Sequence, residues 1–171
     1  MTVTADVVAA IISHHAELQQ TLTRSAAAVV TAARRGAPFE EALQQLGLVL
    51  VNDVIPHARA EEDVLYAAAT AEKLRPLVTG MIFEHETIIS LARDLVATRT
   101  ALEAAAAARA IEAVFVGHVR RENELLLPAL AADPEVDLPA LLPVMQERFA
   151  GYRAAALRQR TSSRPVTPNR S

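Results

Sequence analysis

Four long stretches of this chain repeat apolar residues at intervals of three and four, and each carries a histidine on that stripe. In two of them a glutamate follows the histidine one turn later, in His57-Ala-Arg-Ala-Glu61 and His118-Val-Arg-Arg-Glu122. At about 100° per residue, a spacing of four returns to nearly the same helix face, about 6 Å further along the axis. Each pair therefore stacks an imidazole and a carboxylate on a face that is otherwise aliphatic. A buried polar group without a partner is costly, so the fold has to bring these groups to one another or to a ligand.

The periodicity lays out five helices. The first is expected after Thr4 as its cap, with Ile11, Ile12, His15, Leu18, Leu22, Ala26 and Val29 on its stripe, and it runs to about Arg35 before Gly36 and Pro38. The second begins near Pro38 and runs to about Thr70, carrying Leu43, Leu46, Leu50, Val54, His57, Glu61 and Leu65. Within it, Pro56 lacks a backbone donor and crowds the Asn52 carbonyl, which predicts a kink or short break just before His57. That kink either curves the helix around its core or aims His57. The third helix starts near Pro76 and holds Met81, Ile82, His85, Ile88, Ile89 and Leu95. The fourth spans Ala101 to Ala131, with Ile111, Phe115, His118, Glu122 and Leu126 on one face.

A fifth helix, from Leu138 to about Arg158, has no histidine and either packs across the others or makes a subunit contact, so a homodimer is compatible. The fold class is all-α. Short connections favour an antiparallel up-down-up-down four-helix bundle with an additional C-terminal helix. Residues 1–158 form the bundle, and residues 159–171, rich in Ser, Thr, Arg and Pro, read as a disordered basic tail.

Composition narrows the chemistry. At 171 residues the chain can bury a real core, and abundant alanine with few aromatics favours helices. With no cysteine, it has no disulfide, thiolate metal site or cysteine nucleophile. Residues 1–157 carry 13 basic and 20 acidic side chains, an acidic body that argues against nucleic-acid binding. No basic leader region and no apolar run of about 18 residues stands out, so the expectation is a cytoplasmic protein without a membrane span.

His15, His57, His85 and His118 lie on the apolar stripes of four different helices, joined by Glu61 and Glu122. Burying six such groups in one aliphatic core points to a metal site, because one or two dications satisfy them all. Other metal motifs fail: His85-Glu86 opens like the zinc-protease HExxH string, but residue 89 is isoleucine, and no histidine has a glutamate three residues before it.

The order of these strings resembles the hemerythrin-like, or HHE cation-binding, domain. The strings are His15-Ala-Glu-Leu, His57-Ala-Arg-Ala-Glu61, His85-Glu-Thr-Ile and His118-Val-Arg-Arg-Glu122, and the likeness covers roughly residues 8–130. In that family a four-helix bundle holds a non-haem di-iron centre. The resemblance implies His15 and His57 on one iron, and His85 and His118 on the other. Glu61 and Glu122 would bridge the two irons, with an Fe–O–Fe link between them; a manganese-containing pair is also compatible. The chain departs from the oxygen-carrying members at Met81, where they have a further histidine one turn before His85. A thioether is a poor ligand for ferric iron, so the departure favours reactions at open iron over reversible oxygen carriage.

The expected ligand is accordingly a small molecule (dioxygen, nitric oxide or hydrogen peroxide), bound or consumed in sensing or scavenging. The aliphatic lining (Ile11, Leu18, Val54, Ile82, Ile88, Phe115 and Leu126) would exclude water. His14 lies about 100° from His15 around the helix and reads as a rim residue. Glu62, Glu86 and Glu124 read as surface residues or as outer supports for an imidazole. Two further possibilities stand beside this one. The first is an iron-storage or iron-sensing module without turnover; the second is a metal-free helical adaptor that recruits a partner through its fifth helix and basic tail.

Overall fold

The computed structural model describes residues 3–162, and all its regular structure is helical. Five helices follow one another: α1 (Val3–Arg35), α2 (residues 40–68), α3 (Arg75–Ala97), α4 (residues 101–131) and α5 (Leu138–Ser162). Helix α1 packs on α2 and α4, α3 packs on α4 and α2, and α5 lies across α1 and α2. The fifth helix is thus part of the bundle's wall. Among the described residues, no helix is long and apolar enough to cross a membrane.

The helix ends follow local chemistry. Gly36 closes α1 in the left-handed region (φ 59°), where a side chain would be strained, and its N–H donates to the Ala33 carbonyl. Thr100 and Glu103 form a reciprocal capping box at the start of α4, and Asp137 accepts from the Ala140 N–H at the start of α5. Two boundaries differ from expectation. Thr4 lies inside α1 rather than capping it, because Val3 is already helical. At the other end, α5 continues past Arg158 to Ser162, so residues 159–162 are helical and not tail; residues 163–171, the rest of the expected tail, lie outside the described residues.

The expected kink in α2 takes the form of a π turn inside a continuous helix. Leu50–Val54 is π-helical and ends two residues before Pro56, and Glu122–Leu126 in α4 stands in the same relation to Pro128. In each, the N–H that follows the turn reaches five residues back, from Ile55 to Leu50 and from Leu127 to Glu122. The wider turn accommodates a proline ring that would otherwise press on the carbonyl four residues earlier. A third π turn, Glu62–Tyr66, directly follows Glu61 and contains no proline.

The interior is two apolar clusters separated by a polar layer. One cluster includes Val7, Ile11, Val64, Tyr66, Met81, Leu126, Leu130, Leu138 and Met145. The other includes Leu18, Leu22, Leu46, Leu50, Val54, Ile88, Ile111 and Phe115. On each of α1 to α4, the stripe histidine falls between residues of the two: His15 between Ile11 and Leu18, His57 between Val54 and Val64, His85 between Met81 and Ile88, His118 between Phe115 and Leu126.

Candidate metal centre

The structure brings all six expected residues into this layer. His15, His57, Glu61, His85, His118 and Glu122 are each at most 3% exposed. Their ligand-capable atoms fall into two overlapping groups, His15–His57–Glu61–Glu122 and Glu61–His85–His118, each drawn within 4.8 Å. Glu61 belongs to both: its Oε1 lies 2.8 Å from His57 Nε2 and 3.0 Å from His15 Nε2, and its Oε2 lies 3.6 Å from His85 Nε2. Glu122 Oε2 lies 3.5 Å from both His15 Nε2 and His118 Nε2, one from each group.

The hydrogen atoms of the rings are turned outward. His15 Nδ1 donates to Asn123 Oδ1 at 2.7 Å, His85 Nδ1 to Glu62 Oε1 at 2.7 Å, and His118 Nδ1 to Glu84 Oε2 at 3.1 Å. Since these oxygens only accept, the neutral rings present bare Nε2 lone pairs to the centre. Glu84 is in turn paired with Arg121. Such outer partners fix ring orientation and raise ligand basicity.

Inward, the polar atoms are poorly satisfied. Among the described residues, four buried side-chain polar atoms have no hydrogen-bond partner, and three of them, His57 Nε2, Glu61 Oε2 and Glu122 Oε2, face one another here. The close His57–Glu61 approach is out of hydrogen-bond alignment. Donor lone pairs converging with too few protons to satisfy them fit a cation and fit an apolar adaptor core poorly.

Protons respond to the same field. Burial acts to lower the His15 pKa, but the hydrogen bond and charge of Glu61, with Glu122 and Asn123, push it up to about 9. Burial acts to raise the Glu61 pKa, yet His57 and His15 hold it well below the usual carboxylate range. His118 is raised against burial by Glu122.

Tyr66 was not anticipated from the sequence. Its hydroxyl donates to Glu122 Oε1 at 2.9 Å and lies 3.4 Å from His118 Nε2, while its ring stacks on His85 at 5.6 Å. Burial, then the charges of Glu122 and Glu61, push its pKa far up, so it keeps its proton. By regular helical phase, Tyr66 points away from Glu61, and the π turn at 62–66 changes that phase; Asn123 lies in the second such turn, at 122–126, and meets His15 of α1. Pro128 was the visible signal for the second turn, whereas nothing marks the first.

The outer residues take several different places. Glu62 does support an imidazole, that of His85 on the neighbouring helix. Glu124 pairs with Arg120 on the surface, and Glu86 is exposed. His14 belongs to neither group; half-buried, it stands beside His57 with ring centroids 5.0 Å apart. Burial, then His57 and His15, keeps its pKa low. Met81 is fully buried in an apolar cluster.

The hemerythrin HHE cation-binding domain model matches residues 6–130, which covers α1 to α4 and leaves α5 outside. No curated protein and no solved structure matches the chain.

Proposed function

The chain belongs to the hemerythrin HHE cation-binding domain family, and on that premise we propose that its polar layer holds two iron ions, at which it binds or reacts with a small molecule such as dioxygen, nitric oxide or hydrogen peroxide. The observation that carries the reading is the convergence of four buried histidines and two buried carboxylates whose inward atoms include three without partners. His15 and His57 would hold one ion and His85 and His118 the other. Glu61 fits a bridging role because it belongs to both groups, and Glu122 because its Oε2 lies equally near a histidine of each. Manganese is compatible with the same nitrogen and oxygen donors.

A bound iron pair supplies open coordination positions and electrons to a small ligand. The protein's own contribution is orientation, dryness and proton control. Asn123, Glu62 and Glu84 fix three of the rings by their Nδ1 atoms. The two apolar clusters exclude water above and below the layer, which strengthens every electrostatic interaction inside it. Tyr66 steadies Glu122 and retains a proton at its hydroxyl next to His118. With methionine at position 81, four histidines and two glutamates make up the ligand set, which leaves room for reaction at the metal.

The alternation of the two apolar clusters along successive helices supports an antiparallel up-down-up-down arrangement for α1 to α4. It gives each of the four helices one ligand histidine at the same height.

The test is metal content and the ultraviolet–visible spectrum of protein from iron-supplemented cells, before and after peroxide. The expected result is about two irons per chain with ferric charge-transfer bands, lost in His57→Ala and His118→Ala variants. Peroxide decay with recovery of the spectrum favours catalysis, and an inert spectrum favours storage or sensing. Fully folded, metal-free protein from those cells overturns the reading.

A further inference from the structure

His57 borders a cavity that the four family helices do not line by themselves. Its walls are Ile11 and His14 of α1, His57 of α2, and Leu142, Met145 and Phe149 of α5. The cavity measures about 110 Å³. A water molecule's share of liquid volume is about 30 Å³, and an apolar cavity of about 150 Å³ takes benzene or xenon. The space therefore suits a molecule of a few heavy atoms. Its mostly apolar walls, with His14, His57 and Gln146 as the polar lining side chains, favour a neutral molecule over an ion.

Three of its lining rings, His14, His57 and Phe149, pack on one another. Phe149 sits 5.6 Å from His14 and 6.4 Å from His57, both in edge-on contact, and His57 is in turn edge-on to His15 at 5.1 Å. The roof is held in place. Tyr152 donates to Asp63 at 2.6 Å, Arg153 pairs with Asp53 at 3.2 Å, and the Arg59 guanidinium lies 5.8 Å over the Tyr152 ring. These contacts fix α5 against α2 just beyond Phe149. A second cavity touching both His57 and His85 measures about 10 Å³, too small for anything beyond one water.

We propose that the cavity under α5 is a binding site for a small neutral molecule and its route to the His57 side of the centre, with Phe149 setting the size admitted. The binding site stands on the cavity alone; the route rests on the reading of the centre as a metal site. Xenon is the probe for the first part, using full-length protein labelled at its methionine methyl groups, both as purified and after metal removal. Met145 lines the cavity and Met81 does not, so the Met145 signal should move saturably with xenon pressure while Met81 stays still. Phe149→Trp, and independently Leu142→Phe, fill the space from different positions and should abolish the shift. An unmoved Met145 signal overturns the site.

For the second part, nitric oxide association with iron-loaded protein should slow at least tenfold in Phe149→Trp. An unchanged rate, with the xenon shift lost, overturns the route. Should the chain bind no iron, the xenon measurement still decides the binding site, so the two failures are distinguishable.

Discussion

His85 and His118 meet nitrogen to nitrogen, Nε2 to Nε2 at 3.0 Å, although each has already given its Nδ1 hydrogen to a carboxylate, Glu62 and Glu84 respectively. Two lone pairs that face each other across such a distance repel unless a proton or a cation lies beside them. Around Glu61 the same holds, with His15 and His57 turned toward one carboxylate oxygen. Without metal, the layer is therefore the least satisfied part of the core, and α1 to α4 are each tied to it through one histidine.

Metal binding should for that reason be read directly as folding stability. At free ferrous iron 100-fold above the dissociation constant, one site adds about 2.7 kcal/mol. Urea unfolding under anaerobic conditions, with iron and then with excess chelator, should show a clear shift in midpoint. Glu61→Gln should remove most of it, since Glu61 belongs to both ligand groups. A midpoint indifferent to iron and to manganese argues for an adaptor.

Replacing His85 by leucine should split stability from binding. In metal-free protein it removes one of two opposed lone pairs and costs a partner only to the Glu62 carboxylate, which is 36% exposed, so stability should hold or rise by about 1 kcal/mol. The metal count should fall from about two per chain to about one, because the His85–His118 group loses a donor. Denaturant titration and metal analysis of the same preparation check both halves. An unchanged metal count removes His85 from the ligand set.

Periodicity alone made the four histidine-bearing helices and all six buried polar residues legible, since an imidazole on an aliphatic stripe is carried into the core and must find a partner there. The outer partners of the rings were less so. Glu62 supports a histidine on another helix, a relation that spacing within one helix does not contain. Tyr66 reaches the centre because a π turn shifts the helical phase by which it points away from Glu61, and Asn123 meets the outer nitrogen of a histidine on another helix. Pro56 and Pro128 mark where two of these turns occur, but a proline announces a disturbance and not its geometry. The fifth helix was legible as a helix, and its packing across α1 and α2 is shown by its contacts with them.

The pH dependence of the metal-free protein should carry the mark of His15. Its folded pKa is raised to about 9 against an ordinary 6.5, with Glu61 outweighing the effect of burial. A raised histidine contributes stability that is fully present below about 6.5 and lost as pH climbs through about 9. Unfolding midpoints of metal-free protein should thus fall between pH 6.5 and 9, and His15→Leu should flatten that slope. Iron-loaded protein should show less of the fall, since a ligating imidazole has no such proton to lose. A flat profile in the metal-free protein would show that His15 and Glu61 do not share a proton.

Tyr66→Phe isolates the phenolic hydroxyl without emptying the space the ring fills. Glu122 Oε1 then loses its donor in a fully buried setting, where its other oxygen already has none. Leaving such an acceptor unsatisfied costs about 1–3 kcal/mol in the metal-free protein. A partner that steadies a ligand carboxylate typically accounts for about 10–100-fold in metal affinity. Competition against a chelator of known strength should register that loss, and stacking on His85 should survive, since the ring remains. Should affinity be unchanged while stability falls, Tyr66 serves the core alone and Glu122 needs no help to hold its place.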